Sequence, residues 1–424
     1  MLDLAYIREH KEEVREILKN RAPKLNFDDF LRIDVERREL LREVEALKAE
    51  KNKANDEISA ILKEKGDPKP KIESMKSISQ KIDDLDKKMG HIELNLREIL
   101  LMIPNIPHKS VRMGSDSTQN SQIFAWGEPK KCDFEPKGHT ELGQNLGILD
   151  MARAPKISGS GFAVFRGVGA RLQRALISLM LDVHTQKHGY TEYWPPSLVN
   201  RAAMTGTGQL PKFEEDMYRL KDDDLFLIPT AEVPITNLHR DEVLKEEELP
   251  LKYTAYTPCF RREAGSYGKD TKGLIRVHQF DKVELVKFTK PETSYEEHEK
   301  LLKDAEAILQ LLGLPYRVMQ LCSGDMGFAA AKCYDLEVWA VGVGRWLEVS
   351  SVSNFEDFQA RRANIRFKNK KTGKNEYVHT LNGSGLALPR VVIAILENYQ
   401  NPDGSVLIPE ALRPYMGGLT VIKK

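Results

Sequence analysis

Residues 260–284 read FRREAGSYGKDTKGLIRVHQFDKVE, and this stretch constrains the fold more than any other. Arg261, Arg262 and Glu263 stand just ahead of a loop, Ala264 to Gly273, rich in Gly and Lys. Turn residues punctuate the loop, so the pattern predicts a hairpin around it. Its first strand is Tyr253–Thr257, ending near Cys259 and Phe260, and its second is Leu274–Phe280. Glu284 follows at the end of that second strand. Such a hairpin can grip a nucleotide. Arg meets phosphate with a planar fork of donors, Phe offers a face to a purine, and Glu accepts from an exocyclic amine. The same residues suit an ordinary charged surface hairpin, and the stretch alone leaves both readings open.

The whole chain narrows the choice. Its 424 residues suffice for two or three domains, and 41% hydrophobic content supports a sizeable core. Lys and Arg number 64 against 63 Asp and Glu, a net charge of +1. No global field draws in nucleic acid, so binding of that kind must rely on local patches. Cys132, Cys259, Cys322 and Cys333 form no CxxC, which argues against a disulfide framework and against a cysteine zinc site. Unpaired thiols suit a reducing cytosol. The start, MLDLAYIREHKEEVREIL, lacks the apolar core of a signal peptide, and no apolar run reaches membrane-spanning length. A soluble, cytoplasmic protein with no membrane partner is the expectation.

Upstream lies a long heptad pattern. Phe30, Ile33, Leu40, Val44, Leu47, Ala54, Ile58 and Ile61 recur in steps of three and four, with Arg37 and Lys51 in two slots of the same register. Met75, Ile78, Ile82, Leu85, Met89, Ile92, Leu96, Ile99 and Ile103 repeat the pattern. Both runs are coiled-coil seams. Lys65-Gly66-Asp67-Pro68-Lys69-Pro70 interrupts them, so the two helices must fold back antiparallel. A helix from about Phe27 to Lys65 would run roughly 60 Å and project into solvent. Charges on this arm nearly cancel: residues 37–65 carry eight basic and seven acidic side chains, and residues 71–103 six of each. A dimerising coiled coil and an arm lying along a nucleic-acid backbone both fit. Prolines 104 and 107 end the arm and set the boundary between residues 1–107 and 108–424. Residues 109–140 read as a linker with a small strand at Phe124–Gly127.

The second part carries the remaining chemistry. Gly167 to His188 is an amphipathic helix with Leu172, Leu176, Leu179, Met180 and Val183 on one face. Thr191–Trp194 begins a strand that stops at Pro195, as at a sheet edge or subunit interface. A short strand from Phe226 delivers Thr230, Ala231 and Glu232, where Thr230 also suits the N-cap of a following helix. Tyr334–Val341 and Arg345–Ser353 alternate as strands. Glu348 and Ser351 have oxygens that suit Mg²⁺, or are simply the polar positions of a strand. Leu381-Asn382-Gly383-Ser384-Gly385 reads as a glycine-rich turn opening a helix at Val391. Strands that follow one another through hairpins predict a mainly antiparallel sheet flanked by helices, an α+β fold. Neither a P-loop nor a dinucleotide fingerprint is present.

Taken together, these motifs resemble the bacterial-type seryl-tRNA synthetases, a family of class II aminoacyl-tRNA synthetases. The resemblance spans essentially the whole chain. It rests on the coiled-coil arm, IPNIPH at 103–108, HTELGQNLGILD at 139–150 and GARLQRALISLMLDVHTQKHGYTEYWPPSLV from Gly169 as motif 1. It continues through IPTAEVP, the opening hairpin as motif 2, DLEVW, EVSSVSNFEDFQARR, and NGSGLALPR as motif 3. The resemblance implies activation of L-serine by ATP with Mg²⁺ and no zinc, transfer to tRNA(Ser) and also tRNA(Sec), and a homodimer. It implies that Arg261 holds the α-phosphate and the serine carboxylate. Glu263 would contact adenine beside Val277, with Arg262 in the same segment. Phe280 and Arg390 would sandwich the purine. Glu348, Val349, Ser350 and Ser351 would bind ATP, with Glu348 and Ser351 also binding Mg²⁺. Thr230, Ala231, Glu232, Glu284, Asn382 and Ser384 would surround serine. Arg261, Arg390 and Glu348 would be the catalytic groups.

Some positions depart from the family pattern. Gly161 stands where an Arg is usual, residues 112–118 lack the usual Pro and Glu, and Cys333 and Val352 are variants. Two other readings compete. A relative that passes seryl-adenylate to a carrier protein would lack the arm and use cysteine-bound zinc. A non-catalytic binding protein would not need Arg261, Glu263, Glu284, Glu348 and Arg390 together.

Overall fold

The computed structural model of the chain describes residues 1–264 and 272–424. It divides into two units, Leu2–Pro104 and Asn105–Lys424 with Met1.

In the first unit, short helices Leu4–Glu9 and Lys11–Arg21 precede α1 (Phe27–Lys63) and α2 (Lys69–Met102). Asn26 caps α1 by accepting from the Asp29 amide at 3.3 Å. Pro70 sits in the first turn of α2, where its missing N–H costs no intrahelical bond. The heptad reading holds. Phe30, Val44, Ala54, Ile78, Ile82, Leu96 and Ile103 are buried, and the other seam positions, Arg37 and Lys51 included, are partly buried. Arg37 pairs with Glu93 at 2.8 Å, Lys48 with Asp86 at 3.5 Å, and Glu57 with Lys71. Residue numbers rise along one helix as they fall along the other, so the helices are antiparallel. Exposed pairs of this kind each contribute little, so seam burial supplies most of the stability and the charges favour one register.

The second unit is built on an eight-stranded sheet. Its strands are β1 (Ser121–Trp126), β2 (Thr191–Glu192), β3 (Leu251–Phe260), β4 (Gln279–Thr289), β5 (Tyr316–Gln320), β6 (Lys332–Ala340), β7 (Arg345–Asn354) and β8 (His379–Ala387). The spatial order is β1-β5-β6-β7-β8-β4-β3-β2. Every neighbour is antiparallel except β2, which runs parallel to β3 at the edge. Helices α3 (Val168–Gln186), α4 (Ser294–Leu311) and α5 (Leu388–Asn398) share one apolar cluster with the sheet. The five apolar residues foreseen on α3 are all buried in it.

Four local expectations need correction. The strand after the 260s starts at Gln279, not Leu274. Phe260 pairs with Gln279, and residues 261–264 and 272–278 lie outside the sheet. Glu263 and Gly273 both take positive φ, at 52° and 63°, and turn the backbone away. Leu274, Ile275 and Val277 are buried there without a ladder, so their apolar run mimicked a strand. Of the expected loop, residues 265–271 lie outside the described residues. Glu284, expected at a strand end, sits mid-strand in β4. Ser121–Trp126 is no linker strand: it forms the sheet edge beside β5. The sequence NGSG is not a turn but the interior of β8. A Cβ on Gly383 would lie 3.0 Å from Leu301 of α4, and one on Gly385 would lie 2.6 Å from His184 of α3. Glycine is needed there for close packing, not for turning.

Candidate active site

A cavity of about 570 Å³ opens beside β4, β7 and β8. Among the predicted residues, Thr230, Glu232, Arg261, Glu263, Val277, Phe280, Glu348, Val349, Ser350, Ser351, Asn382, Ser384 and Arg390 line it. Ala231, Arg262 and Glu284 do not. Ala231 is fully buried in a neighbouring apolar cluster, and Arg262 reaches the Glu215 carbonyl at 3.1 Å.

Two irregularities in the sheet shape the cavity. Val349 is an extra residue between Glu348 and Ser350 against β6, and Gly385 is an extra residue between Ser384 and Leu386 against β4. Such bulges re-aim side chains at the cost of local pairing. Asn382 and Ser384 face the cavity while Gly383 and Gly385 lie against helices α4 and α3.

One end of the cavity is rich in cations and flat groups. The Arg261 guanidinium lies 5.2 Å from the centre of the Phe280 ring, a cation–π distance, and its Nε donates to the Pro229 carbonyl at 3.4 Å. Arg390 enters from the first turn of α5. It donates to the carbonyls of Ile275 at 3.1 Å and Glu348 at 2.8 Å, and lies 3.5 Å from the Glu348 carboxylate. Glu263 pairs with Arg276, which also lines the cavity and which sequence reasoning passed over. Ser351 sits 3.1 Å from the Cys333 thiol, and its partner across the ladder is Asp335. Burial, with the Glu348 carboxylate nearby, raises the Asp335 carboxyl well above the usual carboxylate range.

The other end holds acids and hydroxyls. Glu232 is buried, and burial with the nearby Glu284 charge pushes its carboxyl up to about 7. Gln359 donates to Glu232 at 2.6 Å and accepts from Thr380 at 2.7 Å, so the carboxylate is held by a relay. Thr230 accepts from the Glu232 amide at 3.2 Å and from the Lys282 ammonium at 2.8 Å. Both lone pairs of its hydroxyl are then engaged, which leaves its proton to donate. Lys282 also pairs with Glu284, whose other oxygen accepts from Asn382 at 2.7 Å. Lys282 and Gln359 went unnoticed in the sequence. Lys282 was legible in principle, because it lies two residues before Glu284 and shares its strand face.

A phosphate-suited end, an acid-and-hydroxyl end and a mainly antiparallel sheet together define a class II aminoacyl-tRNA synthetase. Residues 212–399 match the tRNA synthetase class II core domain (G, H, P, S and T), and residues 1–107 match the seryl-tRNA synthetase N-terminal domain. The serine–tRNA ligase of Thermodesulfovibrio yellowstonii is 56% identical over 420 residues, covering 98% of this chain and 99% of its own. That of Geobacter sulfurreducens is 56% identical over 422 residues, covering all of both. The crystal structure of seryl-tRNA synthetase from Pyrococcus horikoshii complexed with ATP superposes with a TM-score of 0.93 at 40% identity, covering 100% of this chain and 99% of that one. The chain belongs to the seryl-tRNA synthetase family.

Proposed function

We propose that the chain condenses L-serine with ATP to seryl-adenylate and diphosphate, then transfers the seryl group to the 3′ end of tRNA(Ser). The observation that carries this reading is one cavity with a phosphate-suited end and a serine-suited end, and Arg261 beside both. In the first step a serine carboxylate oxygen attacks the α-phosphorus. The new P–O bond forms as the bond to diphosphate breaks, and the electron pair leaves with the diphosphate. The carboxylate is already ionised, so no general base is required. The site's task is to align the reactants and offset charge on the phosphate oxygens. Arg261 and Arg390 serve that task, with Phe280 and Arg390 flanking the purine and Glu263, steadied by Arg276, at its edge.

Glu348 and Ser351 fit Mg²⁺: a carboxylate and a hydroxyl beside nucleotide phosphates make a hard oxygen donor set. When bound, the ion supplies charge neutralisation on those phosphates. Among the described residues no three His, Cys, Asp or Glu side chains gather as a protein-only metal site.

At the serine end, Glu232 receives the ammonium. Thr230 is set to donate, and Asn382 and Ser384 complete the pocket around the hydroxyl. Alanine would leave these buried polar groups unpaired, which rejects it strongly. Threonine is excluded by fit around its extra methyl. In the second step a terminal tRNA hydroxyl attacks the adenylate carbonyl and AMP leaves. The family resemblance extends this to tRNA(Sec), and to a homodimer formed through the motif 1 helix.

Serine-dependent ATP–diphosphate exchange, followed by charging of each tRNA, tests the reading. Exchange with serine and charging of tRNA(Ser) is expected. Absence of exchange would sink the enzyme reading, and exchange without charging would favour transfer to a carrier protein.

A further inference from the structure

We propose that His184 is a positioning residue for the serine end of the site: its imidazole N–H holds the Gly385 carbonyl and so fixes the bulge that presents Ser384. This inference rests on the serine-binding reading of Ser384.

At the bulge, Gly385 has no ladder partner on β4. On the other side, the β7–β8 ladder runs only from Asn354 and Leu381 to Val352 and Gly383. Gly385 thus lacks a register partner on either side, and Ser384 lacks one on the β7 side, inside a protein core where carbonyls must be satisfied. Side chains take both. The Ser350 hydroxyl donates to the Ser384 carbonyl at 2.7 Å, and His184 Nε2 lies 3.2 Å from the Gly385 carbonyl. A carbonyl only accepts, so Nε2 carries the proton and Nδ1 is the acceptor. His188 Nδ1, 3.0 Å away, is placed to donate to it. His184 is fully buried, and its ring also packs edge-on to Tyr190. Gly385 has no side chain because the imidazole occupies that space: a Cβ would fall 2.6 Å from Nε2. One bulge thus needs a glycine and, from a different element, a histidine. Losing the bond frees the peptide next to Ser384, which borders the serine end, while the Arg261 and Arg390 contacts to the other end are untouched.

The test measures the KM for serine and for ATP separately in the exchange reaction, on the full chain, with melting temperature alongside. His184→Leu should raise the serine KM about tenfold, the worth of one hydrogen bond, and leave the ATP KM within about twofold. His184→Gln, whose amide N–H falls near the position of Nε2, should recover most of the loss. In a Ser384→Ala background His184→Leu should add nothing further, because the group it positions is gone. The proposal is overturned by an unchanged serine KM, by serine and ATP KM rising together, or by additive effects in the double variant. If His184→Leu does not fold, Gly385→Ala probes the same bond from the other side, and a wild-type serine KM there overturns it equally. A parent protein without serine-dependent exchange would instead defeat the functional reading, before any variant is compared.

Discussion

Glu232 and Lys282 set the electrostatics of the serine end between them. A free glutamate titrates near ~4.3, whereas burial and Glu284 lift Glu232 to about 7. The sign follows. Between those values the folded protein binds a proton that the unfolded chain has released, so this group's contribution to stability falls as pH rises through the window. Serine binding runs the other way, because its ammonium pairs with the ionised form. The serine KM should therefore fall as pH rises to about 7 and then level off. Glu232→Gln should raise the KM and abolish that limb; a limb that survives in this variant would refute the assignment. Lys282 lowers the Glu232 value, so Lys282→Met should move the limb to higher pH. It should also cost about 3–5 kcal/mol of stability by stranding the buried Glu284 carboxylate. The Glu232 shift was not visible in the sequence, and of Lys282 only its place on the same strand face as Glu284 could be read. Glu232 and Glu284 could be named from motif resemblance, but their spacing along the chain says nothing of a shared cation. What the sequence does not show of Lys282 is its bond to Thr230, which comes from a separate element.

At the scale of elements the arm was the most legible part, because a heptad is a local pattern and every seam position is at least partly buried. Residues 274–277 and NGSG misled for the opposite reason. An apolar run looks alike in a strand and in a buried turn, and two glycines look alike in a turn and under a helix. What separates these cases is tertiary: the His139 ring accepts from the Leu274 amide at 3.1 Å, and Leu301 and His184 come down over β8. With residues 30–103 replaced by a short turn, serine-dependent exchange should persist near the parent rate while tRNA charging is lost. Equal loss of both would mean that the arm does more than engage tRNA.

At the scale of the whole molecule, the sheet edge at β2 and the helix α3 behind it are the surfaces on which the proposed homodimer depends. Trp194, just beyond that edge, is 80% exposed. An aromatic of this size in water suits an interface. Gel filtration with light scattering should give twice the 48.3 kDa of one chain; a monomer at micromolar concentration would remove the dimer from the account. Among the described residues no helix is long and apolar enough to cross a membrane.

The packing of Gly383 and Gly385 also bears on how such a chain can drift. Each glycine is the complement of a bulky residue from elsewhere, Leu301 with Val352 for one and His184 for the other. A side chain gained on β8 must be matched by volume surrendered on the covering residue. Change at these two sites is open only to paired replacements, so their histories are tied across the chain to those of α3, α4 and β7.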